Sequence, residues 1–284
     1  MDDYIGMTAI CGEEGTGKTS MALTYPTPLR HMDIDVGGFR RAAWRLPKES
    51  SDAIITKTYP RPIQINKLLG QQTQANSPTV RFPKKVEGMK ELWQQIIIDF
   101  VAYCQDPTVK TIVIDSATLL WNICHNSVLQ EAQERQIVKH MKEHRNIPFD
   151  ENDYRERLQP IEYGPANDRM RTVLHTARTF SKNLVLTHYP TDLYGMIPDG
   201  KGGMTEGKTG TKILDGFKET DRLTDLIVWT SIKETIATGG VKTKYPVAKI
   251  TKCGIEKMGL SAVGMEIAAT FEAFINLKNT MGGS

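Results

Sequence analysis

Short, largely apolar runs alternate along this chain with longer stretches in which apolar residues recur every three or four positions, so the runs read as buried strands and the stretches as helices. Residues 7–11 form the first run, and residues 20–25 open a helix. Residues 29–35 give a second strand that ends in Asp33 and Asp35 and leads into Gly37 and Gly38. Residues 53–59 suggest a further strand, and 71–83 a polar excursion. Helical spacing returns at Met89, Leu92, Ile96 and Ile97, followed by an apolar strand over 109–115 that ends in Asp115 and Ser116. An amphipathic segment over 119–145, a stretch rich in Pro, Asp and Asn to Pro165, a helix over 167–181 and a strand over 183–188 ending in His188 come next. Residues 228–233 and 245–252 bracket Gly239 and Gly240, the expected turn of a β-hairpin.

Strands that alternate with helices and close in a hairpin predict an α/β fold, a mainly parallel sheet flanked by helices with a C-terminal antiparallel hairpin. The expected organisation is one core over 1–260, with irregular insertions near 60–86, 145–165 and 189–220, then a C-terminal helix and tail over 261–284. The helix of that last part is expected from about Gly264 to Leu277.

Composition narrows the class. With 284 residues, 39% hydrophobic and 24% charged, the chain can bury a sizeable core, and its apolar runs fall well short of the roughly 20 residues of a membrane span. The N-terminal residues lack the charge and apolar core of a signal peptide, so a cytoplasmic protein is expected. Cys11, Cys104, Cys124 and Cys253 lie far apart and form neither a zinc knuckle nor a disulfide framework. His140 and His144 are one helical turn apart, but their charged neighbours indicate a solvated face. A net charge of +3 is too small to imply an anionic partner. Local clusters carry any such argument: Arg81, Lys84 and Lys85, and six lysines between Lys233 and Lys257.

The chemistry concentrates at Gly12, Glu13, Glu14, Gly15, Thr16, Gly17, Lys18, Thr19 and Ser20, which fit the phosphate-binding pattern G-x-x-x-x-G-K-S/T between a strand and a helix. Three glycines let backbone N–H groups converge on phosphate oxygens. Lys18 is expected to bridge the terminal phosphates of ATP, and Thr19 to ligate Mg2+, with Asp115 holding the ion through water. A second match to the pattern, over residues 202–209, follows turn residues in place of a strand and reads as a mobile loop.

These landmarks in order, Gly-Glu-Glu-Gly-Thr-Gly-Lys-Thr, Met-Asp-Ile-Asp-Val-Gly-Gly, Thr-Ile-Val-Ile-Asp-Ser and Leu-Val-Leu-Thr-His, resemble the RecA-like ATPase core, most narrowly the compact phage recombination ATPases of the Sak type. The resemblance covers about residues 5–255. It implies a water-activating carboxylate at Asp35, where the family usually has a glutamate, and a γ-phosphate sensor at His188. It implies DNA contact by residues 189–220 through Lys201, Lys208, Lys212 and Lys218, and a cation sent into a neighbouring subunit's site from Lys249 or Lys252. Those two lysines are three positions apart, which on a regular strand puts them on opposite faces. Ten residues precede Cys11, so an N-terminal assembly arm is not expected, and contacts would come from the core or the C-terminal helix.

What the resemblance implies is a DNA-stimulated, Mg2+-dependent ATPase of homologous recombination or single-strand annealing. Single-stranded DNA, a homo-oligomeric ring or filament and a single-strand-binding protein would be its partners. A helicase-like ring motor and a nucleotide-gated scaffold or loader with little turnover remain open alternatives, the shorter Asp35 favouring the scaffold. A small-molecule kinase is a weaker reading, since no arginine-rich lid is apparent.

Overall fold

The structure is a computed structural model that describes residues 4–63, 71–72, 80–81, 84–145, 147–150, 153–198, 200, 203–236, 242–256 and 258–282. Its strands are β1 (Met7–Cys11), β2 (Leu29–Asp33), β3 (Ile54–Thr58), β4 (Gln71–Gln72), β5 (Val80–Arg81), β6 (Thr111–Asp115), β7 (Asn183–His188), β8 (Pro190–Pro198), β9 (Met204–Leu214), β10 (Leu226–Ile236), β11 (Lys242–Cys253) and β12 (Glu266–Ala268). The helices are α1 (Lys18–Ala22), α2 (Gly38–Ala42), α3 (Lys48–Asp52), α4 (Met89–Gln105), α5 (Ala117–Glu143), α6 (Tyr163–Thr179), α7 (Thr220–Leu223) and α8 (Phe271–Gly282). Eight strands form the main sheet in the order β12-β11-β10-β1-β7-β6-β2-β3. From β10 to β3 every pairing is parallel, and β11 and β12 add an antiparallel edge. This is the expected α/β architecture.

Parallel strands covered on both faces must be apolar on both, and alternation then divides their side chains between two cores. Ile112, Ile114, Leu184 and Leu186 pack with α4, α5 and α6 on one face. Val113, Val185, Ile10 and Val228 pack on the other with residues of α1 and α8. The C-terminal helix is therefore part of the main core: Phe274 is fully buried, and the Phe271 N–H donates to Thr24 Oγ1 at 2.8 Å. It begins later than expected, because the residues before it form edge strand β12.

Three expectations need correction. The second strand stops at Asp33, so Asp35 lies beyond the sheet on the following turn. Residues 189–220 fold largely into the antiparallel pair β8–β9, where an irregular mobile loop was expected. Neither strand of that pair has a buried residue, so there was no buried face to imprint an apolar alternation on the sequence. Lys249 and Lys252 do not point to opposite faces. The β10–β11 register shifts between Ile227 and Val228, pairing Lys249 with Trp229 and Lys252 with Ile227, two positions apart on one face. The expected turn at Gly239 and Gly240, Lys201, Lys257 and most of the polar excursion over 71–83 lie outside the described residues. Among the described residues, no helix is long and apolar enough to cross a membrane.

Candidate functional site

The glycine-rich loop leaves β1 and enters α1 through two left-handed glycines, Gly15 at φ 77° and Gly17 at φ 94°, a region where L side chains are strained. Gly12 has a different reason. A Cβ there would run into Thr16 and Thr230, because the loop lies against β10. Thr16 Oγ1 fixes that contact, donating to the Glu13 carbonyl at 2.7 Å and meeting Thr230 Oγ1 at 2.8 Å. The Lys18 ammonium folds back into the loop and donates to the carbonyls of Gly12 and Glu13, each at 2.8 Å. It also sits 4.6 Å from the centre of the Tyr189 ring. Burial draws the Lys18 pKa below the ordinary lysine value, partly countered by the Asp115 carboxylate.

The parallel register brings the carboxyl ends of β1, β2, β6 and β7 to one edge, pairing Asp33 with Asp115 and Cys11 with His188. Asp115 is almost fully buried and heavily hydrogen-bonded. Its Oδ2 accepts from Thr19 Oγ1 at 2.8 Å, its Oδ1 from Thr187 Oγ1 at 2.5 Å, and His31 Nε2 lies 3.5 Å from Oδ2. Burial alone would raise the Asp115 pKa, but His31 and the two hydroxyls outweigh it and keep the group below the usual carboxylate range. Asp33 accepts from the N–H groups of Gly37 at 2.8 Å and Gly38 at 3.3 Å. A Cβ on Gly38 would stand 2.5 Å from Asp115 Oδ2, so the turn can close over the two carboxylates only as glycine. His31, Asp33 and Asp115 offer ligand atoms within 4.8 Å of one another.

Asp35 faces the loop from the far side of the cleft. Its Oδ2 accepts from Arg41 Nη2 at 3.0 Å and from the Tyr189 hydroxyl at 3.1 Å. Burial raises its pKa, and the Tyr189 hydroxyl opposes the rise. The cleft between is open to solvent, about 730 Å³ with its mouth included, and Glu14, Gly15, Gly17, Lys18, Thr19, Ser20, Asp35 and Asp115 all line it. Gly38, Arg41, Ala42, Arg45 and Tyr189 complete its wall. A lysine, a threonine hydroxyl and a buried carboxylate on one side, with a second carboxylate opposite, can hold an anion together with a hard cation and polarise a water between them.

The structure thus gathers Lys18, Thr19, Asp115 and Asp35, as the sequence predicted. It leaves other predicted residues elsewhere. His188 is buried and does not line the cleft: its Nδ1 lies 2.9 Å from the Asp215 carbonyl, so that nitrogen carries the proton. Burial pushes its pKa down to about 4, which keeps the ring neutral. Its neighbours Thr187 and Tyr189 reach the site instead, as strand alternation requires of residues on either side. The Lys252 ammonium caps α7, donating to the Asp221 carbonyl at 2.5 Å and that of Arg222 at 3.1 Å. Lys249 is exposed on β11, outside the cleft wall. Lys208 and Lys212 both pair with Asp192 across the hairpin, at 2.6 and 3.0 Å, while Lys218 is exposed.

Sequence reasoning missed His31, Arg41, Arg45, Thr187 and Tyr189. Two of these carried a signal: a histidine two residues before the aspartate that ends β2, on the same strand face, and a polar residue just before His188. The arginines carried none, because their place depends on how the Gly37–Gly38 turn folds back. Residues 6–189, from the entry to β1 through Tyr189, match the sequence profile of a family described as an AAA domain. A comparison with curated proteins finds no match. The match spans more than half of the chain, and with the loop, sheet and carboxylates described above it places this protein in the AAA domain family, as a P-loop ATPase-like domain.

Proposed function

We propose that the protein is a Mg2+-dependent ATPase whose turnover is stimulated by single-stranded DNA and which serves phage-type homologous recombination or single-strand annealing. The observation that carries the enzymatic part is the convergence of Lys18, Thr19, Asp115 and Asp35 on one cleft. Thr19 and Asp115 suit magnesium because both offer hard oxygen donors, already joined by a hydrogen bond at 2.8 Å. When bound, the ion supplies charge neutralisation between the β- and γ-phosphates. Lys18 then leaves the loop carbonyls for the phosphate oxygens, the loop N–H groups hold the phosphates in place, and Asp35 orients and deprotonates the attacking water.

The DNA part rests on the sequence resemblance and on one further feature. Tyr189, which touches both Lys18 and Asp35, is the residue from which β8 departs, so a change at the phosphates has a direct route to the β8–β9 hairpin. That hairpin exposes Tyr194, whose ring is suited to stacking against a base, beside the apolar side chains of Met196 and Met204. Assembly into a ring or filament and cooperation with a single-strand-binding protein belong to the same reading. The alternative of a slow, nucleotide-gated scaffold draws on Asp35 itself, which is short and engaged by Arg41 and Tyr189. ATP turnover with and without single-stranded DNA, with Lys18→Ala as the blank, separates them. Stimulation lost in the variant fits the recombination reading, whereas tight binding without turnover fits the scaffold.

A further inference from the structure

We infer that the cation that stabilises the transferring phosphoryl group is Arg41 of the same chain, so that hydrolysis does not require a lysine from a neighbouring subunit. The inference deepens the ATPase reading and rests on it. Arg41 sits on α2, four residues past Gly37, and its backbone N–H donates to the Gly37 carbonyl at 3.2 Å. The turn that closes over Asp33 and Asp115 therefore also aims this side chain at the cleft, where it forms part of the same wall as Lys18 and Thr19. Among the described residues, one of its five N–H donors is engaged, by Asp35 at 3.0 Å, and its side chain is 61% exposed. Its base is fixed by the helix, and its tip is held at one nitrogen, by Asp35.

The competing cations are less well placed. Arg45 lies against the Trp44 ring at 4.9 Å and approaches Ser20 Oγ at 3.5 Å. Lys252 is committed to the carbonyls of Asp221 and Arg222, and neither it nor Lys249 lines the cleft. A triphosphate brings more negative charge to Arg41 than the single Asp35 carboxylate, and a guanidinium matches phosphate oxygens with paired donors. In hydrolysis the water oxygen bonds to the γ-phosphorus while the bond to the β–γ bridging oxygen breaks. The water's proton passes to Asp35, and ADP leaves with the bridging oxygen. Arg41 donates to the oxygens on which charge builds during that exchange. Moving to them also frees Asp35 for the water.

The test is the affinity of the purified chain, with magnesium, for ATP, for ADP and for ADP with aluminium fluoride, in wild type, Arg41→Ala, Arg41→Lys and Lys249→Ala, alongside turnover per chain over a range of protein concentrations. Wild type is expected to prefer the aluminium fluoride complex to ADP by about 100-fold or more. Arg41→Ala should lose most of that preference while its ATP and ADP affinities change by less than about 3-fold, and Arg41→Lys should recover part of it. Lys249→Ala should keep the preference, and turnover per chain should not fall on dilution. A preference retained in Arg41→Ala, or absent from a wild type that binds ATP, overturns the proposal. So does a preference lost in Lys249→Ala together with turnover that collapses on dilution. Failure of wild type to bind ATP at all removes the ATPase reading instead.

Discussion

Residues 12–19 and 202–209 obey the same G-x-x-x-x-G-K-T pattern, and they end in opposite circumstances. The first lies between a wholly buried strand and a helix, and its lysine is buried among loop carbonyls beside Asp115. From Met204 on, the second runs along an exposed antiparallel hairpin, and its lysine reaches across to Asp192. Two glycines beside the matches differ as well. Gly38, which serves the first site, has no room for a Cβ, whereas Gly210, at φ 81° beside the second, has nothing within 4 Å of where a Cβ would go. A phosphate cradle needs N–H groups aimed at one point by a helix start and a lysine held nearby, and a strand pair spends those N–H groups on its own ladder.

The largest effect should come from that contrast between glycines. Gly38→Ala should lower turnover by about 100-fold, because the methyl must displace the Asp115 carboxylate that Thr19 and Thr187 hold. Gly210→Ala should leave turnover without DNA within about 2-fold, since its cost is about 1–2 kcal/mol of backbone strain in an exposed strand. Steady-state kinetics on the two variants decide this.

The next effect concerns pH. His188 has a folded pKa of about 4 against 6.5 in the unfolded chain, so between those values the unfolded state binds the extra proton. Stability should therefore fall as pH drops from 6.5 to 4, by on the order of 3 kcal/mol, and be unaffected by this group above 6.5. His188→Gln should flatten that part of a denaturation-midpoint profile. Retention of the full slope would assign it elsewhere.

A smaller effect is expected at the junction of the two regions. Tyr189→Phe removes the hydroxyl that holds Asp35 but keeps the ring over Lys18, so kcat should fall about 10-fold with KM nearly unchanged. Smallest of all, Asp192→Asn should leave both stability and basal turnover nearly unchanged, because the pairs it breaks are exposed. By freeing Lys208 and Lys212 it should strengthen, and make more salt-dependent, any affinity for single-stranded DNA, measured by fluorescence anisotropy.

The sequence made the central sheet and the loop legible because both are written in burial. The strands over 7–11, 109–115 and 183–188 are built around short apolar runs, and the loop has a fixed spacing of glycines and lysine. It was less clear wherever burial left no trace. The β8–β9 hairpin packs little on either face, so its glycines and polar residues looked like a loop. The placing of His188 failed by one residue, and one residue on a strand is the difference between facing the cleft and facing away. The two lysines of β11 were misassigned because a register shift is a backbone event with no distinctive residue. Arg41 owes its place to a fold-back at Gly37 and Gly38 that only the three-dimensional path shows.

The central claim is that the first match alone is the phosphate site, and the most direct test is Mg2+-dependent ATP affinity measured by calorimetry in wild type, Lys18→Ala and Lys208→Ala. Lys18→Ala should weaken binding by about 100-fold or more, while Lys208→Ala should match wild type within about 2-fold. Wild-type affinity in Lys18→Ala, or a loss in Lys208→Ala of comparable size, would contradict the account.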